Sequence, residues 1–286
     1  SKAVSSGTPW HFQPCARFLI SRVFFAEGKE NFVISDQIKQ SLYKIARSSS
    51  KITALTGAGV SAESGIPTFR GPEGYWTMGS KEYHPQEMAT FRMFTQKPYE
   101  VWKWYLYRMG VCAGVEPNPG HLALAEIERS HPGRFTLITQ NVDSLHQQSG
   151  SCEVIELHGN IMRSICSETG KPIDDEWIST HSGQPPVSPH HAHGLARPGV
   201  VWFGEQLPAG AMDRAVAEAS ACDVCFSVGT SSLVQPAASL PYVALNSGAV
   251  VIEINPAPTQ LSSQAQFCLQ ATAASALTAI AAKMAR

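Results

Sequence analysis

The sequence predicts an α/β protein: a Rossmann-like, doubly wound parallel sheet carrying a smaller inserted lobe. Three observations lead there. Short apolar runs recur along the chain, helical patterns alternate with them, and each run is followed within two residues by Gly or Asn. The last feature marks buried strands whose carboxyl ends open into loops, where sheets of this kind bind their ligands.

The runs are Ile52 to Leu55, Phe135 to Thr139, Val154 to Leu157, Val224 to Val228 and Val250 to Ile254. Helical patterns cover Asp36 to Arg47, His121 to Ser130, Ala211 to Ala219 and the alanine-rich stretch from Ala271 to Ala285. Two segments break the alternation. Phe91 to Met109 has helical spacing and clusters Trp102, Trp104, Tyr105 and Tyr107, whereas Ser164 to Arg197 is rich in Pro, Ser, Gly and His with little periodicity. We expect insertions of about 72–117 and 160–198 to form the small lobe. They lie within a main domain spanning 36–286, preceded by an irregular N-terminal arm over 1–35.

Composition narrows the function classes. With 22 basic and 23 acidic residues the net charge is −1, so no basic field for nucleic acid is present. No run of 18 apolar residues exists, which argues against a spanning helix. Seven cysteines without pairing rhythm read as reduced thiols of a cytosol-like compartment, and a cytoplasmic monomer is expected. The first 26 residues carry Lys2, Arg17 and Arg22 and no acid. That composition is like a transit peptide and would mean a mitochondrial location in a eukaryotic source; an arm packed on the domain is the alternative.

After the first run comes Thr56-Gly57-Ala58-Gly59-Val60-Ser61-Ala62-Glu63-Ser64-Gly65. Small residues let a backbone approach a pyrophosphate, and N–H groups opening the next helix would meet its charge. Gly57, Gly59 and Ala62 satisfy the loose dinucleotide pattern G-x-G-x-x-G/A. A dehydrogenase would place an acid at the end of a second strand about 20 residues on. Gly71 to Trp76 cannot be that strand, and Glu73 and Glu82 are loop acids by context.

The longer string from Gly57 to Gly71, GAGVSAESGIPTFRG, resembles the NAD-binding signature of the sirtuin family. Further matches follow in family order: Thr139-Gln140-Asn141-Val142-Asp143, Leu157-His158-Gly159, Val200-Val201-Trp202-Phe203-Gly204-Glu205, Gly229-Thr230-Ser231 and Glu253-Ile254-Asn255. The resemblance implies an NAD-consuming protein-lysine deacylase, in which NAD is a co-substrate and acyl-lysine peptides are the partners. It implies an NAD site of Gly57, Ala58, Gly59, Ala62, Glu63, Phe69, Arg70, Tyr75, Trp76, Gln140, Asn141, Val142 and Asp143. Gly229, Thr230, Ser231 and Asn255 would meet the adenosine ribose, and Ala273 would lie against adenine. Phe69 would cover the reacting ribose. Val201, Phe203 and Gly204 would pair main chain with the peptide.

The residue chemistry agrees with those roles. His158, just past a strand end, can act as general base because imidazole titrates near working pH. Asn141 and Gln140 can hold a carboxamide and orient a ribose, and Asp143 can do that or cap a helix. Arg70 has the charge for phosphates or an acidic partner. Tyr105 and Arg108 lie one helical turn apart on one face, so phenol and guanidinium can meet a carboxylate at the end of an acyl chain. This resembles the branch that removes succinyl, malonyl and glutaryl groups, with some deacetylation retained. The small Ala58 and Ala62 suit a roomier tunnel, while the plain alternative puts Tyr105 in a core with Arg108 snorkelling.

Departures from the family are concentrated in the lobe. Of the two Cys-x-x-Cys pairs that hold structural zinc in most sirtuins, only Cys166 remains. Thr169 stands where its partner would be, and Pro189 and Ala192 fall near the second pair. No metal is therefore expected, despite His181, His190, His191 and His193, and packing of Trp177 and Ile178 is expected to hold the lobe. Cys222-Asp-Val-Cys225 is read as two core thiols on opposite faces of a strand, not a metal clip. The family's late Gly-x-Cys-Gly segment is replaced by Leu269 to Ala274. Two other activities fit the same residues: mono-ADP-ribosyl transfer and NAD sensing without turnover.

Overall fold

In a computed structural model the protein is described at residues 21–23, 40, 50–68, 85–181 and 183–284. The strands are β1 (Ser21–Val23), β2 (Ile52–Thr56), β3 (Phe135–Thr139), β4 (Val154–Glu156), β5 (Gly159–Cys166), β6 (Pro172–Ile173), β7 (Ala196–Val200), β8 (Val224–Val228), β9 (Val250–Ile254) and β10 (Phe267–Leu269). The helices are α1 (Pro85–Met88), α2 (Phe91–Gln96), α3 (Pro98–Ala113), α4 (Pro119–Ser130), α5 (Leu145–Gln148), α6 (Asp175–Thr180), α7 (Ala211–Ala221), α8 (Leu240–Asn246) and α9 (Ala273–Met284).

Seven parallel strands make the main sheet in the order β1-β10-β9-β8-β2-β3-β4. Chain order reverses between β2 and β8, which is the switch point where such sheets open a crevice. Strands β2 and β8 run in step, Ile52 opposite Val224 and Thr56 opposite Val228, so both end at one level. Each is buried along its whole length, which explains their continuous apolar sequences. Helices α4 and α9 cover one face through Leu124, Ile127, Leu277 and Ile280. Helices α7 and α8 cover the other through Ala215, Ala219, Leu240 and Ala244.

The five sequence runs are strands, each within a residue of its expected end. Three expectations need correction, and a fourth falls almost wholly outside the described residues. The expected Asp36 to Arg47 helix lies outside the described residues except Gln40, which is helical. Phe91 to Met109 is two helices, because Lys97 precedes Pro98 and leaves the helical region (φ −141°, ψ 63°). The arm expected to be irregular supplies β1, an edge strand beside β10. The Ser164 to Arg197 region is better ordered than its composition suggests: β5 pairs antiparallel with β6 and β7, and α6 lies beside them.

In the lobe, Phe94, Trp104, Tyr105 and Trp202 form one buried cluster. Trp102, Cys166, Ile173 and Ala196 form another, against which Trp177 and Ile178 pack as expected. No helix among the described residues is long and apolar enough to cross a membrane.

The exits of β2 and β8 touch backbone to backbone. A Cβ built on Gly59 would lie 2.7 Å from Gly229 Cα and 2.8 Å from its carbonyl oxygen. Gly59→Ala should therefore force the two exits apart and cost about 1–3 kcal/mol. The check is the urea midpoint, and an unchanged midpoint would mean the exits are not packed this tightly.

Candidate active site

Loops leaving β2, β3, β4, β8 and β9 gather at the carboxyl edge of the sheet. Their polar groups are cross-linked. Gly57 N–H donates to Val228 O (3.0 Å) and Gly59 N–H to Gly229 O (2.8 Å), binding the glycine loop to the β8 exit. Gly229 reaches this contact at φ +60°, a region open to glycine. Gln140 Nε2 donates to Thr230 Oγ1 (3.1 Å), and Asn255 Nδ2 donates to Thr230 O (3.1 Å). Asn141 Nδ2 donates to both Gly57 O and Ser61 Oγ, each at 3.1 Å. Ser231 is exposed on the same loop as Thr230.

The glycine loop differs from expectation in one respect. It leads into two short 3₁₀ turns, Ala58–Val60 and Ala62–Ser64, instead of an α-helix, and Gly65 ends them at φ +92°. The Gly57 and Gly59 N–H groups hold the β8 exit, so the loop presents mainly its small side chains to the crevice. Glu63 projects to the N–H of Ala274 (2.8 Å) and caps α9, whose first residue, Ala273, is buried. Phe69, Arg70, Tyr75 and Trp76 lie outside the described residues.

His158 is half-buried at the β4 exit. Its Nδ1–H donates to the Gln140 carbonyl (3.0 Å), which leaves Nε2 as the basic nitrogen. Burial lowers its pKa, and the Gln140 carbonyl opposes that only partly. The ring is therefore neutral and able to accept a proton at neutral pH.

Beneath the site lies a buried polar layer that sequence reading did not assemble. Ser61 Oγ–H donates to Asp143 Oδ2 (2.7 Å), while Asp143 Oδ1 accepts from Leu145 N–H (3.0 Å), the first residue of α5, from the position before the N-cap Ser144. Burial raises the Asp143 pKa, and those two donors pull it back in part. His121 Nδ1 accepts from Asn118 N–H (3.3 Å), which places its proton on Nε2, 3.4 Å from Ser61 Oγ. His146 packs edge-on against His121, ring centres 4.9 Å apart. In the sequence, these histidines show only as polar residues in apolar helical surroundings.

The lobe core next to the β7 exit is aromatic. Tyr105 is fully buried and its hydroxyl accepts from Trp202 Nε1 (2.9 Å). Arg108, half-buried, hydrogen-bonds Tyr105 and lies 4.7 Å from the Trp104 ring centre and 5.1 Å from that of Tyr105. Burial raises the Tyr105 pKa, and Arg108 opposes the rise. Tyr105 thus lies in a core, with Arg108 packed against it.

Strand β7 stops at Val200, so Val201 to Glu205 is not strand as expected. Val201 N–H donates to His158 O (2.9 Å), Phe203 N–H to Ala89 O (3.0 Å), and the chain turns at Gly204 (φ +88°). Glu205 holds this turn by accepting from Trp202 N–H (2.8 Å) and from Arg197 Nη2 (2.8 Å). Arg197 lies 3.4 Å from the Trp202 ring centre.

The donors near Cys166 do not make a zinc tetrad. Its buried thiol exchanges hydrogen bonds with the hydroxyls of Ser188 and Thr169, which are poor zinc ligands. His190 Nε2 lies 2.7 Å from Pro172 O, and His181 stacks on Trp177 at 3.5 Å. No group of three or more His, Cys, Asp or Glu side chains gathers among the described residues. The Cys222–Cys225 reading needs correction too. Cys222 is the C-cap of α7 and not a strand residue, so both buried thiols share one cluster and hydrogen-bond each other.

With this geometry in place, comparison defines the class: the Sir2 family model matches residues 57–236. An NAD-dependent protein deacylase of Aquifex aeolicus is 46% identical over 79% of this chain and 92% of its own. NAD-dependent protein deacylase 1 of Archaeoglobus fulgidus is 44% identical over 82% and 93%. Among solved structures, a Sir2 homologue–NAD complex superposes with TM-score 0.76 at 40% identity, over 90% of this chain and 96% of the other. A Sir2 variant complexed with deacetylated p53 peptide and 3′-O-acetyl ADP-ribose superposes with TM-score 0.72 at 30% identity, over 85% and 96%. The chain belongs to the Sir2 family of enzymes.

The buried histidines set an acid limit on stability. Desolvation lowers His121 to about 4, and desolvation with the His121 charge lowers His146 to about 3, both from 6.5. As pH falls below 6.5 the unfolded chain takes up these protons first. Stability is therefore full above pH 6.5 and is lost toward pH 4 and then 3, by about 1.4 kcal/mol per pH unit for each group. Denaturant midpoints measured from pH 7.5 to pH 4.5 should fall, and His146→Phe should flatten the slope; identical slopes would refute the assignment.

Proposed function

We propose that this chain is an NAD-dependent protein-lysine deacylase with a preference for acyl groups that end in a carboxylate, some deacetylation being retained. One observation carries the enzymatic part: His158, a neutral base with Nε2 facing outward from its Gln140 anchor, stands at the same sheet edge as the Gly57–Gly59 loop and Asn141. The absent Cβ atoms of Gly57 and Gly59 let the loop close on Gly229 and Thr230, which brings the loop and the adenosine-side residues to one edge for a dinucleotide. Bound NAD supplies the ribose carbon that receives the acyl oxygen as nicotinamide leaves.

The chain's own residues do the rest. Asn141 commits its Nδ2 to Gly57 and Ser61, leaving Oδ1 to orient a ribose hydroxyl. His158 Nε2 takes the proton from that sugar. Gln140, Val142 and Asp143 shape the nicotinamide side. Gly229, Thr230, Ser231 and Asn255 hold the adenosine ribose beside Ala273, Ala58 and Ala62 line the approach, and Glu63 supports the cofactor site by tying the glycine loop to the start of α9. Phe69, Arg70, Tyr75 and Trp76 complete the cofactor set. The acyl-lysine peptide lies along Val201, Phe203 and Gly204, whose turn Glu205 fixes.

Arg108 and Tyr105 support the acyl preference. A half-buried guanidinium against two aromatic rings gives a carboxylate a charged partner with reduced screening. Acetyl, succinyl and malonyl peptides assayed side by side with NAD should all release nicotinamide and O-acyl-ADP-ribose, with the dicarboxylic acyls favoured, and His158→Ala should be inactive. Finding ADP-ribosylated protein instead would overturn deacylation. Arg108→Met should reduce desuccinylation by roughly ten- to a hundredfold while sparing deacetylation, the worth of one charge-assisted hydrogen bond; equal losses would sink the assignment.

The lobe is proposed to fold without zinc, on the packing around Cys166 and Trp177. Elemental analysis of purified protein should find far less than one zinc per chain, and its melting temperature should be indifferent to a chelator. Stoichiometric metal would show that Cys166 has ligands other than those described.

A further inference from the structure

His146 is buried to 1% exposure on α5, a four-residue helix, so it cannot touch a ligand in the crevice. Its Nε2 lies 2.9 Å from Thr56 Oγ1, and Thr56 Oγ1 donates to Thr139 Oγ1 at 2.9 Å. Thr139 Oγ1 in turn accepts the backbone N–H of Asn141 at 3.0 Å. The one Thr56 hydroxyl proton has Thr139 Oγ1 at 2.9 Å and the Ile138 carbonyl at 3.5 Å as acceptors, the first much the shorter, so the imidazole is the donor to Thr56, which places its one proton on Nε2. Nδ1 is then a buried acceptor with no partner among the described residues.

This arrangement is costly for packing alone. An apolar ring of similar size would fill the volume without desolvating two nitrogens, one of them unpaired. The polar groups that meet the ring are His121 on α4 and Thr56 on β2, with Thr139 on β3 reached through Thr56, and no carboxylate among the described residues bonds it. What the imidazole adds is direction: a one-way chain from Nε2–H through two hydroxyls to the residue that opens the β3 exit.

We propose that His146 is a positioning residue for the reaction: through Thr56 and Thr139 it fixes the Asn141 backbone, and with it the neighbouring Gln140 carbonyl that anchors His158. The inference rests on the deacylase reading for its kinetic test. A second test uses no turnover, so the two can fail separately.

His146→Phe keeps the volume and removes the donor. It should lower kcat for nicotinamide release about tenfold, the worth of one hydrogen bond, with a smaller change in the KM for NAD and no loss of melting temperature at pH 7.5. His146→Gln, whose amide nitrogen falls near the position of Nε2, should recover most of the rate. Thr56→Val cuts the same chain, so adding His146→Phe to it should cost nothing more. Independently of activity, amide exchange at Asn141 should quicken in His146→Phe and Thr56→Val but not in His146→Gln. A wild-type kcat in His146→Phe, equal losses in the Phe and Gln variants, or additive losses with Thr56→Val would overturn the proposal. If His146→Phe does not fold, Thr56→Val decides alone: unchanged kcat and unchanged Asn141 exchange would refute it. Wild-type protein that releases no nicotinamide would count against the deacylase reading, while the exchange measurement still judges His146.

Discussion

The site depends on the approach of Gly59 to Gly229 across the β2–β8 boundary. The two strands end in register, so their exits leave the sheet at one level and would collide if either carried a side chain. Without Cβ atoms they hydrogen-bond, Gly57 to Val228 and Gly59 to Gly229. This junction sets the distance between the loop after β2 and Thr230, and Thr230 in turn orients Gln140 and Asn255. The switch point of the topology is therefore also the point where packing tolerance is smallest.

Below that junction the polar layer works by assigning protons. Asn118 forces His121 to carry its proton on Nε2, and Ser61 must donate to Asp143, so it accepts from Asn141. Each hydrogen bond removes a choice from its neighbour, and in a low-dielectric interior a wrong choice leaves an unpaired group costing about 1–3 kcal/mol. Identical residue types thus do different work. His158 is half-buried, with Nδ1 held by the Gln140 carbonyl, whereas His121 and His146 are desolvated neutral rings that hold geometry.

What the sequence disclosed follows from how local each signal is. Buried parallel strands announce themselves by unbroken apolar runs, and the residues just past them, Gln140, Asn141 and His158, can be placed because the chain has only one way out of a sheet. Strands β1 and β10 are three residues long and exist through their pairing with each other and with β9, so no local pattern marks them. The 3₁₀ turns after Gly57 replace a helix because Gly65 stops the segment and Glu63 turns away to cap α9. Cys222 and Cys225 meet because the strand begins only at Val224, a boundary that a Cys-x-x-Cys spacing cannot show. Ser61, His121 and His146 come from three separate segments and are unified only by burial.

The aromatic wall and the turn beyond β7 form one mechanical unit. Trp202 gives its ring N–H to Tyr105 and its backbone N–H to Glu205, while Arg197 stacks on the ring and pairs with the same carboxylate. Arg197 is nearly buried, so it depends on Glu205 for compensation, and removing either partner would strand a charge in the interior. Val201, the residue before Trp202, is bonded to the backbone of His158. A shift of Tyr105 would thus pass through Trp202 to the Phe203–Gly204 turn and, through Val201, to His158. Tyr105, the Phe203–Gly204 turn and His158 are coupled by covalent neighbours and three hydrogen bonds, so a substitution at Tyr105 that leaves the turn in place must still accept the Trp202 N–H.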